Sequence, residues 1–133
     1  MRTALICATV FTLACSETTA PVTPIDGTYD LTRVANLALP ATVSQSYPLT
    51  TVVSGWATMR ADQTWEATLS LQSWPEDQAS PIATEEHEQG SYRVKGDSVF
   101  FTSSSDGSTV VATIKGRELT ATIEGAPFVF VRR

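Results

Sequence analysis

The chain has 133 residues, with 14 Asp or Glu, nine Lys or Arg and one His, for a formal net charge of −5. That length supports one folded domain, and an evenly scattered acidic surplus argues against nucleic acid as a partner and against electrostatic docking to anionic lipid. The two cysteines, Cys7 and Cys15, both lie near the N-terminus, so the rest of the chain must hold together by its core alone.

Arg2 precedes an apolar run, Ala4 to Ala14. The run is too short to span a bilayer as a mature helix and reads as an export signal. It closes on Thr12-Leu13-Ala14-Cys15-Ser16. A small residue followed by cysteine resembles the processing site of bacterial lipoproteins, with Leu13 one place nearer the cysteine than in that pattern. The resemblance implies a signal over residues 1–14 and a lipidated Cys15 as the membrane link. Ser16, where Asp would retain the protein, implies the outer membrane, facing the periplasm. The alternative is an ordinary secretory signal and a secreted or periplasmic protein. Removing Arg2 with the signal leaves eight Lys and Arg against the 14 acids, a mature charge near −6. Residues 15–25 are polar and carry Pro21 and Pro24 without apolar periodicity, which is the composition of a tether.

The folded domain is predicted over residues 26–133, all of it β, because no stretch after the signal has a helical period. Thr28 to Val34 opens it, a weaker strand follows near Ala41 to Tyr47, and Val52 to Arg60 leads through Ala61-Asp62-Gln63-Thr64 into Trp65 to Leu71. In that last run Trp65, Ala67, Leu69 and Leu71 alternate with polar residues, the pattern of a strand with one buried face. Matching parity across the hairpin turns Ala57 and Met59 inward and Trp56 and Thr58 outward. Trp74 to Pro81 is the longest irregular stretch. Beyond it, Ser91 to Val94 and Ser98 to Thr102 flank Lys95-Gly96-Asp97, while Thr109 to Lys115 and Glu118 to Glu124 flank Gly116-Arg117. The Ser103 to Ser108 stretch turns between the pairs, and Gly125-Ala126-Pro127 enters a closing strand, Phe128 to Arg132. Eight or nine strands in up-and-down order expose two edges unless first pairs with last. The expected fold is therefore an all-β antiparallel meander closed into a small barrel, with an open β-roll as the alternative.

Gly27-Thr28-Tyr29, Leu39-Pro40, the Ala61 to Trp65 hairpin, Gly90-Ser91-Tyr92 and the ending Phe128 to Arg132 together resemble the small lipocalin-like domains of bacterial lipoproteins. In lipocalins a Trp on the first strand packs under an Arg near the end and closes the barrel base. The resemblance puts Tyr29 in the Trp place and Arg132 or Arg133 in the Arg place, as a cation–π contact.

Candidate chemistry is sparse. Glu85-Glu86-His87-Glu88 is the densest polar cluster and holds the lone His. In an extended strand only alternate members converge, fewer than the three or four ligands of a zinc site, so neither metal nor cofactor is expected. A solvated edge strand is the simpler role. If the parity of Tyr92 and Val94 runs back through Gly90, Glu86 and Glu88 line the barrel mouth. No Gly-x-Ser-x-Gly elbow or phosphate loop occurs, and no catalytic residue is assigned.

The aromatics carry more. Trp65, Met59, Trp74 and Phe101 are the candidate contacts for a small apolar ligand inside the barrel, with Trp74 at its opening. The competing expectation is a filled core, since side chains can occupy the whole interior of about eight strands. The function expected is thus non-catalytic binding by a monomeric, tethered envelope protein. The alternative is a solid module that contacts another envelope protein.

Overall fold

In the computed structural model residues 24–133 are described. The signal, Cys15 and most of the tether lie outside the described residues. Ten strands form one sheet: β1 (Gly27–Val34), β2 (Leu37–Ala38), β3 (Ala41–Thr42), β4 (Leu49–Met59), β5 (Thr64–Trp74), β6 (Ile82–Lys95), β7 (Ser98–Ser103), β8 (Thr109–Lys115), β9 (Glu118–Ile123) and β10 (Ala126–Arg132).

Local chemistry sets the turns. Gly96-Asp97 and Gly116-Arg117 are two-residue loops, with Lys95 opposite Ser98 and Lys115 opposite Glu118. Each has its Gly first, at φ 60°, as a type II′ hairpin requires. Ala35-Asn36 and Glu124-Gly125 have positive φ at both positions, the type I′ form whose twist matches the flanking strands. The strand expected near Ala41 to Tyr47 is reduced to β3, where Ala41 and Thr42 pair with Val52 and Thr51. Pro40 and Pro48 flank that segment and supply no ladder donor.

Eight strands, β1 and β4 to β10, close the barrel, each antiparallel to the next. β1 is the closing strand: Tyr29 faces Arg132 of β10 on one side and Ala57 of β4 on the other. An open roll is thereby excluded. The expected parity holds along β4, with Ala57 and Met59 buried and Trp56 half-buried on the outer wall.

The two ends of the barrel differ. At the end where the chain enters, Ile25, Tyr29, Met59 and Tyr92 are buried in the core. There the Tyr29 hydroxyl donates to the Ile25 carbonyl (2.8 Å) and the Tyr92 hydroxyl to the Arg60 carbonyl (2.6 Å). Each fully buried side chain of that size contributes about 1.5–3 kcal/mol. At the other end the wall is uneven. β5 pairs with β6 from Ile82 through Ser91, but β7 meets β6 only from Gly90 onward. The β5–β6 hairpin therefore rises past the rim, and Ile82 to Gln89 has a strand partner on one side alone.

Candidate functional site

A hollow of about 460 Å³ opens at this uneven end, between the rising hairpin and the strands across from it. Its floor is apolar: Trp65, Ala67 and Leu69 from β5, Phe101 from β7, Val110 from β8, Ile123 from β9 and Phe130 from β10. These are the inward positions that strand parity selects. The space exists because Ala67 is small and because the neighbouring segment of β6 presents Glu88 and Glu86 opposite Ala67 and Leu69, two residues that reach toward water rather than fill a core.

Trp65 shapes the floor. Its ring meets Phe101 edge-on, with centroids 5.5 Å apart and planes at 75°, the arrangement that the ring quadrupoles favour. Its Nε1 donates to the Ser91 carbonyl at 3.0 Å, with the Thr102 carbonyl at 3.4 Å. Gly90 makes this placement possible. A Cβ there would lie 1.8 Å from the Thr102 carbonyl oxygen and 3.0 Å from the indole nitrogen.

The rim is polar and partly fixed. One oxygen of Glu88, Oε1, accepts hydrogen bonds from the hydroxyls of Ser103 (2.6 Å) and Ser105 (3.0 Å). The Ser103 oxygen in turn accepts the Ser105 amide at 3.1 Å. The bonds from Ser103 and then Ser105 hold the Glu88 carboxyl below its usual range, because they favour the charged form. Ser103 is itself buried. These bonds join the unpaired part of β6 to the β7–β8 turn across the rim.

His87 also borders the hollow, between Glu86 and Glu88, but its strand parity is that of the outer wall. Its Nδ1 lies 3.0 Å from Thr68 Oγ1, and Thr68 is an outer-wall residue buried between Trp56 and His87 in the cross-strand row. The continuous register through Gly90 separates His87 from Glu86 and Glu88. Among the described residues no three His, Cys, Asp or Glu side chains group as metal ligands. A second hollow, over Gly90, is lined by polar residues such as Thr64, Gln89, Ser91 and Thr102 together with Trp65, and has no comparable apolar floor.

Of the residues singled out in the sequence, Trp65 and Phe101 meet in the hollow. Met59 pairs with Trp65 across β4 and β5 but is 1% exposed in the filled end. Trp74 closes β5 opposite Leu49, nine residues beyond Trp65 along an extended strand, and is 38% exposed outside the hollow. Tyr29 and Arg132 are cross-strand partners at the closing strand. Arg132 donates to the carbonyls of Asp26 and Pro24, and the cation–π contact among the described residues is Arg93 over Phe100, at 4.5 Å. Ala67, Val110, Ile123 and Ser103 were not singled out. Val110 and Ile123 share the inward parity of their strands, which is a signal of burial but not of a void.

Charge is not evenly scattered. Arg60 in the β4–β5 turn, Arg93 and Lys95 at the end of β6, Lys115 and Arg117 about the β8–β9 turn, and Arg132 and Arg133 at the C-terminus all lie toward the filled end. Asp30, Glu66 and other acids offset them there, two through ion pairs to Arg133 (2.8 Å) and Arg60 (2.6 Å). The mouth side carries Glu76 and Asp77 in the β5–β6 loop, Glu85, Glu86 and Glu88 on β6, and Asp106 and Glu124 in the turns opposite, against Arg33 near the end of β1, which pairs with Glu118 at 3.6 Å. The net negative charge is concentrated around the hollow.

Compared with protein-family models, with curated proteins and with solved structures, the chain finds no match.

Proposed function

We propose that the protein is a non-catalytic binding barrel of the cell envelope, taking a small ligand with an apolar body into the hollow above Trp65 and Phe101. The observation that carries the proposal is the hollow itself. It joins an aromatic and aliphatic floor to a few fixed polar groups at the rim, the usual composition of a small-molecule site. The lipocalin-like character of the barrel belongs to the same proposal, and so do the bacterial lipoprotein signal and the anchor at Cys15. The direction of the chain supports them: Pro24, held by Arg132, leaves the barrel at the end opposite the mouth.

Trp65 reports occupancy directly. With Trp56 and Trp74 replaced by Phe, titrating the full chain with decanol is expected to change Trp65 emission saturably, and Ala67→Phe, which fills the floor, is expected to abolish the change. A response that survives Ala67→Phe would place binding elsewhere and overturn the proposal. Anchoring has its own test. Labelled palmitate should enter the wild-type chain in a lipoprotein-processing host and not the Cys15→Ala variant, and labelling of neither would return the protein to the secreted alternative.

One observation favours the second reading, a module that contacts another envelope protein. The open edge of β6 from Ile82 to Glu88 offers unpaired backbone groups that an extended segment of a partner could complete.

A further inference from the structure

We infer that the ligand of this hollow is a cationic amphiphile, an amine head on an apolar body, whose head is received by Glu86 and Glu88 while its body lies on Trp65, Leu69 and Phe101. The inference rests on the binding function proposed above and specifies the chemistry of its ligand.

Three observations converge on a cationic head. First, the two carboxylates are on the inward face of β6 by an unbroken register, Glu88 opposite Ala67 and Glu86 opposite Leu69, so they stand at the edge of the apolar floor rather than on the outer wall. A neutral apolar ligand uses neither of them, and a fatty acid would bring its carboxylate against both. Second, Glu88 is preorganised. Ser103 and Ser105 both bond to Oε1, which fixes the carboxylate plane, and the Gln89 amide also favours the charged Glu88 carboxyl, while both oxygens of Glu86 have no hydrogen-bond or ion-pair partner among the described residues. The acceptors that face the hollow are therefore available to N–H donors of an ammonium group, and little side-chain freedom remains to be lost at Glu88. Third, the acids of the mouth side, with Asp106 and Glu124 across from β6, are left largely without basic neighbours, because Arg60, Arg93, Lys95, Lys115, Arg117, Arg132 and Arg133 lie toward the filled end. A cleft lined by one sign of charge raises the local concentration and capture rate of the opposite ion. No acid–base or covalent step is involved, since the ammonium group is charged at neutral pH before it binds.

The probes are decylamine, decanol and decanoate, which share a tail and differ in head charge. They are titrated at neutral pH and low salt into the full chain with Trp65 as its single tryptophan. Decylamine is expected to bind tightest and decanoate weakest, with the amine favoured over the alcohol by about fivefold, the upper range for partly exposed ion pairs. The double substitution Glu86→Gln with Glu88→Gln should bring decylamine to the level of decanol and leave decanol unchanged. Retained decanol binding also shows that the variant is folded. Added salt should reduce the amine preference in the wild type alone.

Equal affinities for the three probes, or an amine preference that survives the double substitution, would overturn the cationic head while leaving the binding barrel standing. Failure of every probe would remove the binding barrel and this inference together. Decylamine that still binds after Ala67→Phe sits on the outer surface, which also overturns the inference.

Discussion

Gly90 is the residue on which the site turns. It sits where β6 acquires its second neighbour, between Trp65 of β5 and Ser103 of β7. It also leaves room for the Trp65 ring edge beside the Thr102 carbonyl. Gly90→Ala puts a methyl 1.8 Å from that backbone oxygen, and strand backbones paired on both sides cannot yield by so much without breaking the ladder. A loss of about 1–3 kcal/mol is expected from overpacking of this kind, read as a lower urea midpoint at unchanged slope. An unchanged midpoint would mean that β6 and β7 are not paired at Gly90. Ser103 offers a second test at this scale. Its hydroxyl is the first cause of the lowered Glu88 pKa, so Ser103→Ala should let that pKa rise toward the ordinary glutamate value, seen by carboxyl-carbon NMR titration. The linkage has a definite sign. A carboxyl whose folded pKa is depressed contributes stability above its unfolded pKa, near 4.3, and loses it as pH falls through the folded value. The Glu88 part of the Ser103→Ala deficit should therefore be present at neutral pH and fade below about pH 4. A deficit independent of pH would show that Ser103 acts through packing alone.

At the scale of elements, the strands that bury one face were legible in their extent, whereas the exposed first half of β6 was legible only as a solvated edge strand at Glu85 to Glu88 and not in its length. Trp65 to Leu71 alternates cleanly, and Gly96-Asp97 and Gly116-Arg117 carry their turn type in their first residue. By contrast Ile82 to Gln89, the first half of β6, reads Ile-Ala-Thr-Glu-Glu-His-Glu-Gln and is exposed throughout. Such a segment has no contrast of period two for a sequence reading to detect, and only its hydrogen bonds to β5 make it a strand. Its length decides the site, because the hollow lies where β7 stops and β6 continues. That mismatch is a property of two strands together, so neither sequence run announces it. The same extension explains Trp74. Placed beside a long loop it reads as a lid, yet β5 carries it well past the floor.

The open edge of β6 bears Glu85 and His87 on its outer face and Glu86 and Glu88 on its inner face. An antiparallel copy of the same segment would set carboxylates against carboxylates, which discourages edge pairing. The substitutions Glu85→Val and His87→Val together should therefore produce concentration-dependent self-association by sedimentation velocity, whereas the wild type stays monomeric. Hydrogen exchange should agree: alternate amides from Ile82 to Gln89, those turned away from β5, are expected to exchange far faster than the doubly paired Tyr92 to Val94. Uniform protection along β6 would require a partner strand that the barrel does not supply.

At the scale of the whole molecule, one meander does two jobs with its two ends. Closure through β1 removes the free edges that the up-and-down order would leave. Ile25, Tyr29, Met59 and Tyr92 fill the end where the chain enters, and the opposite end keeps a hollow ringed by acids. The expectation of a filled core and the expectation of a cavity thus each describe half of the interior. The division was beyond sequence patterning, since Met59, Trp65 and Phe101 all point inward and only the stagger of the strands separates the buried methionine from the open floor. Charge follows the same axis, although the overall balance of the chain gives no hint of it.

Side-chain NMR mapping of the full chain during a titration with decylamine tests this division most directly. Shifts are expected at Leu69, Phe101, Val110, Ile123 and the Trp65 indole, with Tyr29, Val34, Val52 and Met59 unmoved. Shifts confined to the filled end, to the open edge of β6 or to the outer wall around His87 would contradict a binding hollow above Trp65 and Phe101.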